Sequence, residues 1–277
     1  MDTPLERIRR EEWAIVKHWI PLGARVLEIG GGSGFQAALL ASSGCDIVAI
    51  DLEGRPGPAK QGVQKQYWPV QVYDGHLLPF GEASFDVVYS SNMLYHVEAL
   101  QEFLVEINRV LRPGGLVLHL LASASWRLWT NLTYYMDLFR LVCLRLRRQE
   151  TSGEGGQSAS GGGKRPLIPR VRRLLLPPPL GPSENTTVEL FRFRRARWLE
   201  AFRRVGYVHI KSVGGGLFYT GHLIFPGLPF SVRRAMAKLL GSASHEFVMR
   251  RPNGPAEASV SGKPSTRLLE KARAGGG

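Results

Sequence analysis

The chain has 277 residues, of which 44% are hydrophobic and 21% are charged, a balance typical of a globular protein that can bury a full core. Charged residues recur through its first twelve positions, which lack the apolar core of a secretory signal, so we expect a cytoplasmic location. No stretch of about 18 apolar residues is free of charge, which argues against a transmembrane helix. The two cysteines, Cys45 and Cys143, lack partners at the spacing of a disulfide framework or a zinc site, so no metal is expected.

The net charge of +13 is unevenly distributed along the chain. Residues 1–123 carry 10 basic and 14 acidic residues, whereas residues 124–277 carry 26 basic and 9 acidic ones. The basic second part favours an anionic partner, such as a phospholipid surface, a phosphorylated substrate or nucleic acid. A solvated arginine-rich surface without a partner is an equally good interpretation.

Apolar runs alternate with helix-like stretches over the first 123 residues. This pattern is typical of a doubly wound α/β fold, with a mostly parallel sheet and helices on both faces. Predicted strands cover residues 25–29, 46–50, 70–73, 85–90 and 115–121. Between the last two, residues 98–111 place apolar side chains at helical spacing. The Arg-Pro-Gly-Gly sequence that follows ends this helix and turns the chain into the next strand.

The pattern changes after residue 122, where residues 126–148 are predicted to form an amphipathic helix with a mostly basic stripe. Residues 151–163 are a Gly/Ser-rich linker, and residues 165–180 form a basic, proline-rich loop. A helix that starts near Glu189 ends at Gly206. Strands at 207–213 and 245–250, separated by an insertion at 214–241 with an apolar first half, are predicted to complete a seven-stranded sheet as an antiparallel pair.

These elements predict five segments. They are an N-terminal helix (1–21), a core (22–122), an amphipathic helix with a flexible basic insertion (123–188), a segment that completes the sheet (189–251) and a disordered tail (252–277).

A glycine loop follows the first predicted strand, where Gly30-Gly-Gly-Ser-Gly34 leads into a helical run. Glycines let a ligand approach the backbone, and a helix N-terminus offers free N–H groups to a carboxylate or phosphate. A tight structural turn is the alternative interpretation. Phe35 stands where a nicotinamide or flavin loop needs Gly or Ala, and no Lys-Ser/Thr pair marks a nucleoside triphosphate loop, so both are disfavoured.

Two aspartates end the next two strands. Asp51 follows the second strand at the sheet edge where parallel strands present their ligand-binding ends, and its carboxylate can accept both hydroxyls of a ribose. A strand-end cap is the alternative role for Asp51. Asp74 ends the third strand in the same way, where its carboxylate can accept an adenine amino group.

The ordered motifs resemble those of class I S-adenosylmethionine-dependent methyltransferases, whose fold is Rossmann-like. The resemblance rests on residues 26–34, Asp51, and residues 74–80, 85–97 and 111–115. It is closest to the small-molecule branch typified by ubiquinone and menaquinone biosynthesis methyltransferases, and it covers roughly residues 22–122. The later helix and strands are similar to the usual end of that fold.

The resemblance implies that S-adenosyl-L-methionine is the cofactor and assigns binding roles to eight residues. Glu28 and the loop backbone at Gly30, Gly32 and Gly34 would hold the methionine part, Asp51 the ribose, Asp74 and Gly75 the adenine, and Ser90 would approach the methionine amino end. The His76 side chain has no assigned role.

Catalysis asks little of side chains, because a sulfonium is already a good leaving group and alignment of the nucleophile contributes most. A general base is needed only for a poor nucleophile. Tyr95 and His96, just past the fourth strand, are the catalytic candidates, and packing against the sheet is an equally good role for His96.

The acceptor is expected to be a small or lipid-like molecule, because signatures of nucleic-acid and protein-arginine methyltransferases are absent from the sequence. The helix at 126–148, the proline-rich loop and residues 217–225 are expected to form a lid over it, or to contact an anionic membrane with Trp126, Trp129 and Leu132 in the boundary. A methyltransferase-like scaffold at a membrane is the alternative. A nucleic-acid methyltransferase is disfavoured, since charge alone supports it.

Overall fold

The computed structural model describes residues 2–52, 65–151, 177–182, 185–223 and 226–254, without the side chains of residues 137, 140–142 and 144–151. Apart from residue 151, the predicted linker lies outside the described residues. So do residues 165–176 of the proline-rich loop and residues 255–277 of the tail.

A seven-stranded sheet in the order β3-β2-β1-β4-β5-β7-β6 forms the centre of the molecule. The strands are β1 (Arg25–Ile29), β2 (Asp46–Leu52), β3 (Gln71–Tyr73), β4 (Phe85–Ser91), β5 (Leu111–Ala122), β6 (Val208–Gly214) and β7 (Ser244–Arg250). The first five are parallel, and β7 runs antiparallel between β5 and β6. The predicted mostly parallel, Rossmann-like sheet with an antiparallel final strand is confirmed.

Helices cover both faces of the sheet. They are α1 (Pro4–Val16), α2 (Phe35–Ser42), α3 (Leu100–Val110), α4 (Ala124–Thr151), α5 (Thr186–Arg192), α6 (Arg195–Val205) and α7 (Phe230–Leu240), with 3₁₀ turns at Lys17–Trp19 and Leu94–His96. Trp13 of α1 and Leu40 of α2 are buried in the core on one face. Phe103 of α3 and Phe202 of α6 are buried in the core on the other.

The structure differs from two of the predictions, one at the end of a helix and one within the insertion. The predicted helix at 98–111 ends at Val110, because Leu111 pairs with Phe85 and so already belongs to β5. The insertion at 214–241 contains α7, which the sequence did not indicate. Arg233 of α7 is 5% exposed and donates to the Phe218 carbonyl, so tertiary contacts hold this helix in place.

A buried hydrogen bond joins β4 to β5. Ser90 Oγ lies 2.8 Å from His119 Nδ1, and the His119 ring stacks on Phe202 with centroids 5.3 Å apart. Both polar residues are almost fully buried. Burial lowers the pKa of His119 to about 3, because the charged imidazolium would lose its hydration.

We expect His119 to make the fold sensitive to acid. The unfolded chain takes up a proton at this histidine below its ordinary pKa of 6.5, whereas the folded chain does not, so stability falls as pH falls toward 3 by about 1.4 kcal/mol per pH unit. His119→Asn keeps a partner for Ser90 but does not titrate. Urea unfolding at pH 7 and pH 5 should show the wild type losing about 2 kcal/mol more than the variant. Parallel losses in both proteins would contradict the assignment.

Candidate functional site

The candidate site lies at the carboxyl edge of the sheet, between β1 and β4. Here the strand order reverses, since β1 leads to β2 on one side while β4 lies on the other. Loops that leave two such strands diverge and open a crevice, which is where α/β sheets bind ligands. The predicted cofactor residues all lie in or directly after β1, β2, β3 and β4.

The glycine loop after β1 is closed on the protein side and open on the other. Gly30 N–H donates to the Ile50 carbonyl at 2.8 Å. Gly30, Gly32 and Gly34 have φ angles of 83°, 55° and 72°, which L-residues with a side chain rarely adopt. A Cβ on Gly34 would meet the Trp68 main chain, whereas one on Gly32 would meet no atom of the described residues within 4 Å. Gly32 therefore borders space that a ligand can fill.

The Asp51 carboxylate is oriented toward this loop by two main-chain hydrogen bonds. Oδ2 accepts from Gly32 N–H at 2.8 Å, and Oδ1 accepts from Leu52 N–H at 2.7 Å. An ionised carboxylate has about four acceptor sites, so it can accept two further hydrogen bonds. Asp51 can thus hold the loop and a pair of ligand hydroxyls together.

Asp74 and Gly75 form a tight turn after β3. Asp74 Oδ1 accepts from the N–H groups of His76 and Leu77 at 2.9 and 3.2 Å, and these bonds lower the pKa of the exposed Asp74 carboxyl. Gly75 has a φ of 86°, and a Cβ there would collide with Leu52 at the end of β2. The turn therefore lies against the end of β2, the strand that carries Asp51.

Glu28 is a buried carboxyl in β1 beside the same loop. It is 2% exposed, and its Oε2 has no hydrogen-bond partner within the described part of the chain. Burial, with a smaller contribution from the charge of Asp51, raises the pKa of Glu28 to about 8, although the Ala37 N–H opposes this shift. A buried acid without a partner at a ligand site is suited to a cationic group.

The remaining candidates lie in β4 and past its end. The Ser90 side chain is buried against His119, so its predicted contact with the methionine amino end stays a prediction, and the structure gives this hydroxyl a protein partner. Tyr95 and His96 occupy the 3₁₀ turn with ring centroids 4.4 Å apart, and Tyr95 lies 5.2 Å from the Phe193 ring. Tyr95 also lines a cavity of about 410 Å³ between this turn, α3 and α6.

A buried polar cluster on α1 was missed by the sequence analysis. Glu12 is fully buried, accepts from the Tyr219 hydroxyl at 2.7 Å and pairs with Arg9. A signal was present, because Glu12 stands one helical turn from Ile8 and from Val16 on the buried stripe of an amphipathic helix. An acidic residue on such a stripe predicts a buried partner.

Tyr67 ties α1 to the glycine loop. Its hydroxyl donates to Glu6 at 2.7 Å, its ring meets the edge of Phe35 at 5.1 Å, and its N–H donates to the Ser33 carbonyl. Helix α1 therefore passes along the carboxyl edge next to the loop. No pattern in the sequence predicted this role for Tyr67, because residue 67 lies outside any periodic segment.

A cap over the carboxyl edge is held by one buried ion pair. Arg127 of α4 and Glu189 of α5 are 2% and 1% exposed, and their charged atoms lie 2.8 Å apart. Glu189 Oε1 also accepts from the N–H groups of Leu180 and Gly181, and Arg127 donates to the Pro178 carbonyl. This pair therefore joins α4, α5 and the segment 177–182.

Two tryptophans expected at a membrane boundary pack inward instead. Trp129 Nε1 donates to the Leu240 carbonyl, and its ring meets Phe218 at 5.8 Å. Trp126 lies 6.5 Å from the Phe193 ring. Of the three residues predicted for that boundary, Leu132 is the exposed one. The described residues contain no group of three His, Cys, Asp or Glu that could hold a metal ion.

Comparisons with known proteins agree with this geometry. Residues 27–119 match the model of the methyltransferase domain. The chain is 32% identical to an uncharacterized methyltransferase of Synechocystis sp. (44% of this chain, 62% of that protein) and 36% identical to one of Mycobacterium sp. strain KMS (45% and 50%). It therefore spans between half and two thirds of the length of these relatives. A solved S-adenosylmethionine-dependent methyltransferase from Mesorhizobium loti aligns over 87% of this chain and 98% of its own, with a TM-score of 0.49 and 16% identity.

The sheet order defines an α/β domain whose candidate ligand site lies at the carboxyl edge. Within it, residues 27–119 are the part that is similar to the methyltransferase domain model. The matched residues end within β5, so the cap formed by α4, α5 and the segment 177–182 lies beyond them.

We expect the cap to depend on the charge balance of its buried pair. Glu189→Gln leaves the Arg127 charge buried without compensation and should lower the free energy of unfolding by about 3 to 5 kcal/mol. Replacing both residues, as Arg127→Met with Glu189→Leu, should recover much of this loss. The matched control is Glu200→Gln in the exposed pair with Arg203, which should cost at most about 1 kcal/mol.

Urea denaturation monitored by tryptophan fluorescence gives these differences. Equal effects of Glu189→Gln and Glu200→Gln would show that the buried pair does not hold the cap.

Proposed function

We propose that the protein transfers a methyl group from S-adenosylmethionine to a small-molecule or lipid-like acceptor. The observation that carries this proposal is the open space at Gly32, where a carboxylate is oriented for hydroxyl groups, in a loop that follows a buried acid with one oxygen unpaired among the described residues. These are the features that a ligand with a ribose and a cationic amino acid end requires.

The residues fit the parts of that cofactor. Asp51 has acceptor capacity left for the ribose hydroxyls, and the turn at Asp74 and Gly75 would hold the adenine. The loop glycines would let the methionine part lie against the backbone, with Glu28 as the acidic residue nearest to its positive charge. When bound, S-adenosylmethionine supplies a methyl group on a sulfonium, which is already a good leaving group.

The rest of the work is positioning. Holding a nucleophile in line with the methyl group can contribute about 7 to 11 kcal/mol. Tyr95 lies at the carboxyl edge between the 3₁₀ turn and Phe193, where its ring can align an acceptor and exclude water. If the acceptor is a poor nucleophile, Tyr95 or His96 would act as its base, for about 10² to 10⁴-fold.

The surroundings favour an acceptor with an apolar body. Aromatic contacts dominate the cap, where Phe193 touches Tyr95 and Trp126 while Phe218 touches Trp129. Such a lining suits a ring or an isoprenoid better than a phosphate backbone. The sequence resemblance to ubiquinone and menaquinone biosynthesis methyltransferases points to the same kind of acceptor.

Gly32→Ala should abolish cofactor binding while leaving the fold intact. The added Cβ meets no atom of the described residues within 4 Å, so it should occupy only space that the ligand would fill. Gly23→Ala is the matched control, because Gly23 also has a positive φ, of 72°, and open space around its Cβ, but lies before β1. Both variants should lose about 1 kcal/mol of stability from backbone strain.

Isothermal titration calorimetry with S-adenosylmethionine should give wild-type affinity for Gly23→Ala and a loss of at least about tenfold for Gly32→Ala. Absence of binding to the wild type, or equal affinities in all three proteins, would refute the proposed site.

Cofactor affinity should rise with pH because of Glu28. In the protein without ligand, the Glu28 carboxyl has a pKa of about 8 and is protonated at neutral pH. A cationic ligand favours the carboxylate form, so binding releases the proton. The dissociation constant should therefore fall by up to about tenfold per pH unit below pH 8 and then level off. Glu28→Gln should bind more weakly and lack this component, so subtracting its pH profile removes titration of the ligand itself. Identical profiles would show that Glu28 does not face the cofactor.

A further inference from the structure

One face of α4 is apolar and exposed. It consists of Leu128, Leu132, Tyr135, Met136 and Phe139, which are between 44% and 71% exposed. With 3.6 residues per turn, these five side chains fall within an arc of about 100° and extend for about 16 Å along the helix. We call this surface the α4 apolar face. Isolated exposed apolar residues are ordinary, but a continuous face is not.

Helix α5 extends this face on one side. Thr186 of α5 donates to Asn131 of α4 at 2.9 Å, which fixes the two helices next to each other. Val188 and Phe191 of α5 are 42% and 58% exposed. The exposed apolar surface is therefore formed by two helices that pack against each other.

The segment that follows Phe191 is basic. Arg192, Arg194, Arg195 and Arg197 are all exposed, and the stretch 190–197 contains no acidic residue. The Arg194 guanidinium lies over the Phe191 ring at 4.4 Å, so positive charge directly adjoins the apolar side chains. Part of the uneven charge of the chain is thus concentrated next to its exposed apolar surface.

We propose that the α4 apolar face, together with Val188 and Phe191, docks the protein on an anionic phospholipid surface. Apolar side chains enter the boundary between headgroups and acyl chains, and the arginines of α5 and α6 contact lipid phosphates. None of the described helices is long and apolar enough to cross a bilayer, so the contact is peripheral. A second copy of this chain would bring the same arginines together and is disfavoured by charge.

Vesicle flotation of the full chain tests this surface. The protein should float with vesicles of phosphatidylcholine and phosphatidylserine in equal parts and remain at the bottom with phosphatidylcholine alone. Leu132→Ser with Phe139→Ser, and separately Arg194→Glu with Arg197→Glu, should each lower the partition coefficient by at least about tenfold. Leu239→Ser is the matched control, because Leu239 is 87% exposed on α7 and outside the surface.

Four results would overturn the proposal. They are equal flotation with both vesicles, no flotation with either, wild-type flotation of the Leu132 and Phe139 variant, and a wild-type dimer in gel filtration that this variant dissociates. Thermal unfolding adds a further check. The variant should keep the wild-type Tm, and a large fall would show that the chain itself covers the face.

Discussion

The position of β1 between β2 and β4 constrains the whole site. Both sides of β1 are hydrogen-bonded to parallel neighbours, so β1 is an inner strand. Its carboxyl end therefore opens in the middle of the carboxyl edge of the sheet. It must then turn at once into α2, and three glycines with positive φ make that turn. The turn leaves a Cβ-sized opening at Gly32 and brings Asp51 within hydrogen-bond distance of the loop. The position of the candidate ligand site is thus a consequence of the strand order.

Several charged groups are buried in the described part of the molecule, and burying them costs stability. Glu12, Glu28, Arg127 and Glu189 are each at most 2% exposed at the side chain or residue level. Replacing a buried ion pair by apolar residues is often neutral or stabilising, so such groups are weak evidence for a stability role. Three of the four have a charged or hydroxyl side-chain partner, whereas Glu28 accepts from the Ala37 N–H and its Oε2 has no partner among the described residues. Glu28 is therefore the member of this set whose partner is best sought in a ligand.

Local patterns were sufficient to predict the sheet and the placement of Asp51 and Asp74 at its carboxyl edge. Asp51 and Asp74 are found in or directly after strands, and parallel strands bring their carboxyl ends to one edge, so order along the chain implies proximity in space. The cap could not be predicted this way. Arg127 and Glu189 meet only because α4, residues 177–182 and α5 fold back on one another, and no periodicity encodes that meeting. Helix α7 was missed for a similar reason, since buried contacts of Arg233 hold it in place.

Helix α4 contributes to both regions for which a role is proposed, the cap over the carboxyl edge and the exposed apolar face. One side of the helix carries Arg127 and Asn131, which bind α5 and hold the cap over the carboxyl edge. The adjacent side carries the exposed apolar residues from Leu128 to Phe139. The apolar surface outside and the aromatic cap inside are therefore consistent with one acceptor chemistry.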